Sequence, residues 1–165
     1  MKSISWPQSA RSNQLMVRKN DYTLEPSVSV ILNVDTDLPN RAEALEHTFS
    51  LARTVCAMLE KRGVKYSFAS NAIFSGGSAA LNSATEGLGS RHFSGVLERL
   101  GRASYEPALP LAQLLDREAF RQTSTGRILI TPGDPIPARM LHRLKEVSTG
   151  NLLILNAAEV ASWQQ

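Results

Sequence analysis

The sequence predicts an α/β fold, a Rossmann-like three-layer sandwich whose mainly parallel central sheet is covered by helices on both faces. Three observations predict it. Short apolar runs recur at 28–32, 127–131 and 151–155, with 65–70 alternating weakly as a fourth, and runs of this length bounded by turn residues read as strands. Between them lie stretches with apolar residues at three- and four-residue steps, the period of a helix with one buried face. Strand and helix alternate along the chain, as parallel strands joined by helical crossovers require.

Residues 1–26 carry isolated apolar side chains (Ile4, Trp6, Leu15, Val17, Tyr22, Leu24) and read as an amino-terminal arm or edge segment. The arm is expected to pack on the body or to continue into a preceding domain, and 27–165 to form one α/β domain. The run at 28–32 is the central strand and ends abruptly in Asn33-Val-Asp35-Thr-Asp37. Pro39, Asn40 and Glu43 signal a helix start, with Asn40 capping free amides and the acid three residues on reaching back. Ala42, Leu45, Phe49, Ala52, Val55, Cys56 and Leu59 mark its buried face, and Gly63 its left-handed end. The strand at 65–70 completes a β-α-β unit with a right-handed crossover.

From Asn71 to Ser90 the chain turns to Ser, Gly, Ala and Asn. Gly76-Gly77 reads as a turn and Glu86-Gly-Leu-Gly89 as a loop, with a short edge strand expected in either half. No lysine follows the paired glycines at phosphate-loop spacing, so a turn is the better reading. Phe93, Val96, Leu97 and Leu100 mark a second helix. Leu111, Leu114, Leu115 and Ala119 mark a third, with Tyr105-Glu-Pro107 ahead of it and proline in its first turn. After the strand at 127–131, Pro132-Gly-Asp134-Pro135-Ile-Pro137 opens a helix carrying Ile136, Met140, Leu144 and Val147, with Asp134 as its cap. Thr149-Gly150 stops that helix, and the strand at 151–155 precedes a polar tail containing Trp163.

The composition, 42% hydrophobic and 20% charged, excludes a wholly disordered or collagen-like chain. The formal charge of +3 arises from bases with acids between them, such as Arg53, Glu60, Lys61 and Arg62. That is a solvated surface, and no nucleic-acid partner is expected. Cys56 is the only cysteine, which excludes an internal disulfide and a cysteine metal cluster, fits a reducing compartment and marks a core thiol. His47, His92 and His142 lack zinc-site spacing and are expected on helix surfaces. With no apolar run near the roughly 20 residues of a membrane span and no signal-peptide core, the chain is expected to be soluble and on the cytoplasmic side.

In α/β folds the loop after a central strand is where ligands usually sit. Two stretches add to that position: Ile4-Ser-Trp6-Pro-Gln-Ser9-Ala10-Arg11 followed by Leu15-Met-Val17-Arg18, and then the strand and loop from Val28 to Asp37. Together they resemble a bacterial family of unknown function with a von Willebrand factor A-like domain. The resemblance implies a von Willebrand A-like fold in an excerpt of a larger, membrane-anchored protein, often encoded beside MoxR-type AAA+ ATPases. It implies a non-catalytic module that binds or assembles a protein partner, such an ATPase among the candidates. Oligomeric state stays open.

Metal-binding members of the wider fold carry Asp-x-Ser-x-Ser after the first strand, an oxygen-only shell that a partner's carboxylate completes. Here Asn33 stands at the Asp position, with Asp35 and Asp37 where the two serines would be. Thr131 ends the later strand, and Asp134 lies two residues beyond Pro132, where such folds often supply another Asp. The resemblance thus makes Asn33, Asp35, Asp37, Thr131 and Asp134 the candidate partner-binding residues around a degenerate metal-dependent adhesion loop. No cofactor and no metal are expected; a retained site would hold Mg²⁺ or Ca²⁺ weakly through Asp35 and Asp37. Read locally, the same acids make a solvated turn with its own hydrogen bonds.

The enzyme alternative is a haloacid dehalogenase-like, Mg-dependent phosphatase. Asp35-Thr-Asp37 resembles its nucleophile and acid pair, and Ile128-Leu-Ile-Thr131 its second motif. Leu38-Pro39 departs from that pattern, no second acid follows Gly133-Asp134, and Lys145 stands far from Thr131. The binding module ranks above it, and the chain is not expected to be an enzyme.

Overall fold

Strand β1 (Ser27–Leu32) is the centre from which a five-stranded sheet is built in the computed structural model. The structure describes residues 26–76, 82–119, 126–147 and 151–162. Of the expected features, nearly all of the arm with its Trp6 to Arg11 motif, Gly77, Thr149-Gly150 and Trp163 lie outside the described residues.

The sheet order is β4 (Asn82–Gly87), β2 (Lys65–Ser70), β1, β6 (Gly126–Thr131), β7 (Asn151–Asn156). β1 runs parallel to both β2 and β6, and β6 parallel to β7; only the edge strand β4 is antiparallel. Successive strand residues face opposite sides, and both sides of β1 are buried. Val30 and Leu32 join Tyr66, Phe68 and Ile130 beneath α1 (Arg41–Arg62) and α2 (Ser90–Arg102). Ile31 joins Ala69 and Leu129 beneath α3 (Leu111–Ala119) and α4 (Ala138–Val147). This is the three-layer α/β arrangement the periodicities indicate. α1 leads to β2 and α4 to β7, in opposite directions from the sheet centre, so crossovers of one hand put them on opposite faces.

The ends of α1 illustrate where local signals hold. Gly63 closes it at φ 67 and ψ 26, a left-handed conformation glycine adopts without a Cβ penalty. Its N–H donates to the Glu60 carbonyl at 3.1 Å. At the other end Asn40 occupies the cap position, but its side chain makes no capping bond; only its carbonyl takes part, accepting from the Ala44 N–H.

Other local expectations are corrected. Both halves of 71–90 hold a strand: β3 (Ala72–Phe74) in one and β4 in the other, so Glu86 and Gly87 are strand, not loop. β3 pairs antiparallel with β5 (Ala103–Pro107), which absorbs Tyr105-Glu-Pro107. Pro107 therefore ends a strand, and the Pro110 carbonyl receives the first bonds of α3, from the Gln113 and Leu114 N–H groups. Asp134 does not cap α4. Proline biases the residue before it toward extended backbone, so Pro135 and Pro137 delay the helix until Ala138, and the Pro137 carbonyl accepts from Met140 and Leu141. In place of a polar tail, α5 (Ala157–Ser162) packs against α1. His47 and His142 are exposed, but His92 is not a surface histidine: its ring meets Tyr66 edge-on at 4.6 Å.

Candidate functional site

The direction of the crossovers reverses between β1 and β6, so the loops leaving their carboxyl ends part there and open a crevice, the usual ligand position of such sheets. Its floor is set by the sheet: the Asn33 N–H donates to the Ile130 carbonyl at 2.9 Å, continuing the ladder one residue past β1. Above it lies a cavity of about 240 Å³. Asn33, Asp35, Asp37, Thr131 and Asp134 all line it, with Thr36 beside them and Leu111, Ile136 and Met140 as apolar wall. The structure thus brings all five expected residues to one place.

Their roles differ. Asn33 is 2% exposed, and its carboxamide is committed to the backbone and to a neighbour. Its Oδ1 accepts from the Asp35 N–H at 3.0 Å and from Asn71 Nδ2 at 2.9 Å, while its Nδ2 donates to the Asp35 carbonyl at 3.0 Å. Thr131 is buried in the cavity wall. Asp35 and Asp37 are exposed at the mouth. The Asp37 N–H donates to Asp134 Oδ1 at 3.4 Å, whereas Asp134 Oδ2 is buried and has no hydrogen-bond partner among the described residues.

Sequence reasoning missed Asn71, the residue that ties this end of the sheet together. It is fully buried; its Oδ1 accepts from the Val34 N–H at 2.8 Å, and its Nδ2 donates to Asn33 Oδ1 and to the Leu109 carbonyl. A signal existed. Leu32 and Ser70 are partners in the parallel ladder, so Asn33 and Asn71 each follow the carboxyl end of neighbouring strands. Gly133 was also passed over. At φ 154, a Cβ on it would lie 3.1 Å from Ala158 Cβ and 3.3 Å from Leu38 Cδ1. Its bare backbone lets the Asp134 loop lie against α5, whose Ala158 N–H donates to the Pro132 carbonyl at 3.2 Å.

Among the described residues three aspartates and no lysine or arginine line the cavity, so its low-dielectric walls concentrate negative potential. A hard cation needs about six or more oxygens. Both lone pairs of Asn33 Oδ1 are already used, and among the described residues no three His, Cys, Asp or Glu side chains are grouped to hold an ion. Lys145 is exposed on α4 and is not among the described residues of the wall.

No protein-family model matches the sequence, and no curated protein matches it. The geometry of this crevice is therefore the ground for a functional reading.

Proposed function

We propose that the chain is a non-catalytic protein-binding or assembly module, von Willebrand A-like in kind, whose degenerate adhesion loop receives a basic residue of its partner. The observation that carries this is a small cavity lined by Asp35, Asp37 and Asp134 and, among the described residues, by no lysine or arginine, its backbone held by the buried Asn33–Asn71 pair. A pre-organised loop loses little freedom on binding, and complementary charge gives specificity and a fast encounter. The resemblance of the arm and strand makes an AAA+ ATPase the proposed partner and a bacterial membrane-associated protein, facing the cytoplasm, the proposed parent. No helix among the described residues is long and apolar enough to cross a membrane, so in this proposal the anchor is carried by another part of the parent.

The test is calorimetric titration of the chain with a MoxR-type AAA+ ATPase. Replacing Asp35, Asp37 and Asp134 together by asparagine is expected to weaken binding by about tenfold or more, charged hydrogen bonds being worth about 1.5–3 kcal/mol each, and added salt to weaken the wild-type complex. Unchanged affinity in the triple variant would reject the acidic mouth as the binding site. The competing phosphatase reading has Asp35 and Thr131 in one cavity in its favour. Mg²⁺-dependent hydrolysis of p-nitrophenyl phosphate that disappears in Asp35→Asn would overturn the binding module.

A further inference from the structure

A second cavity, about 430 Å³, lies between the other face of the sheet and the helices α3 and α4. That volume is within the roughly 300–1,000 Å³ of small-molecule sites. Its lining is apolar in part, with Ile31, Leu115, Met140 and Leu144. It is also charged, with Arg127, Arg139 and Arg143 beside Asp116 and Glu118, an excess of one positive charge among the described residues. Arg143 is engaged with Asp116 at 3.4 Å. Arg127 and Glu118 are 7% and 3% exposed; burial lowers the arginine's proton affinity and the nearby carboxylate opposes that.

Arg139 differs from both. It is exposed on the cavity wall and has no ion pair among the described residues. It also sits in the first turn of α4, which carries no acid there. A cation at a helix amino terminus opposes the helix dipole, so helix stability does not account for the arginine. An anion bound at this point would interact favourably with both.

We propose that this cavity binds a small organic anion with an apolar body, a carboxylate or phosphate monoester on an alkyl chain, whose head group is held by Arg139. The apolar wall buries the chain and the arginine selects the charge. The ligand would not suit the acidic crevice, whose lining charges have the opposite sign. Met140 lines both cavities, so it reports on each.

The probes are octanoate and octyl phosphate, with octanol as the uncharged chain and inorganic phosphate as the chainless anion, each titrated calorimetrically into the full chain. At least one of the two amphipathic anions is expected to bind at a single site, at least about tenfold more tightly than octanol or inorganic phosphate, and the better one identifies the head group. Arg139→Gln, an exposed change whose folding is checked by circular dichroism, is expected to weaken it by about tenfold or more. The triple Asp35, Asp37, Asp134→Asn variant is expected to bind it as the wild type does, and the Met140 methyl resonance to shift on binding. Failure of both anions to bind, octanol binding as tightly as they do, or full affinity in Arg139→Gln would each overturn the proposal.

Discussion

The Asn71 carboxamide holds two segments distant from it in sequence, Asn33–Val34 and Leu109. Truncating it leaves the buried Val34 N–H without an acceptor, and an unsatisfied buried group costs about 1–3 kcal/mol beyond the bonds lost. Asn71→Ala is accordingly expected to lower unfolding free energy by about 3 kcal/mol in urea titrations; a change within about 0.5 kcal/mol, the level of an ordinary surface substitution, would contradict this account of the loop. On the buried face of α1, burial raises the Cys56 thiol from its ordinary 9.0 to about 12, with Glu60 adding to the shift. Burial also raises the Tyr66 phenol, assisted by Cys56 and Glu60. For a raised folded-state value, both states hold the proton below the unfolded value, and the stabilisation is complete there. Between 9.0 and about 12 the unfolded chain has released the thiol proton while the folded chain keeps it, so stability falls by about 1.4 kcal/mol per pH unit for this group. Denaturant midpoints from pH 8 to 10.5 are expected to decline more steeply in wild type than in Cys56→Ala. Parallel declines would show that the thiol contributes nothing.

Among the elements, the two exit loops at the sheet centre depend on backbone conformations that single side chains can upset. Gly133→Ala sets a methyl against Ala158 and Leu38 at a positive φ, and the expected cost is about 2 kcal/mol. The Asp37 and Asp134 amide resonances should shift with it, since the Asp37 N–H is bonded to Asp134; unshifted amides would mean the loop absorbs the methyl elsewhere. Elements bounded by strong local chemistry were legible: α1 stops at Gly63, whose conformation is local. A short strand was expected in the half of 71–90 that holds β3, but β5 and its pairing with β3 were not legible, because the two meet across residues 75–102 rather than within the main sheet. The caps assigned to Asn40 and Asp134 both failed, Asn40 because its side chain makes no capping bond. Asp134 instead accepts from the Asp37 N–H.

At the scale of the whole molecule, protection should follow position in the sheet. β1 and β6 have paired neighbours on both sides and covered faces, whereas β4 and β7 are edges. Amide hydrogen exchange is therefore expected to be slowest in Val30–Leu32 and Leu129–Ile130 and faster in β4 and β7. Equal rates throughout would mean that the sheet opens only as one unit. The molecule also separates charge: a chain of net +3 presents an acidic cavity at the sheet's carboxyl edge and a cavity of opposite excess under α3 and α4.

By itself the sequence determined the fold class, the parallel strands with their helical crossovers, the buried thiol and the position of Asp35 and Asp37 after the central strand. Those features follow from periodicity and from residues near one another in the chain. Only the tertiary structure decided that Asn33 is committed to Asn71, that Asp134 faces a loop 97 residues away, and that three arginines share a cavity with an apolar wall. Each depends on which strand ends lie side by side. Strand order is a global property of packing, and no local hydrophobic period encodes it.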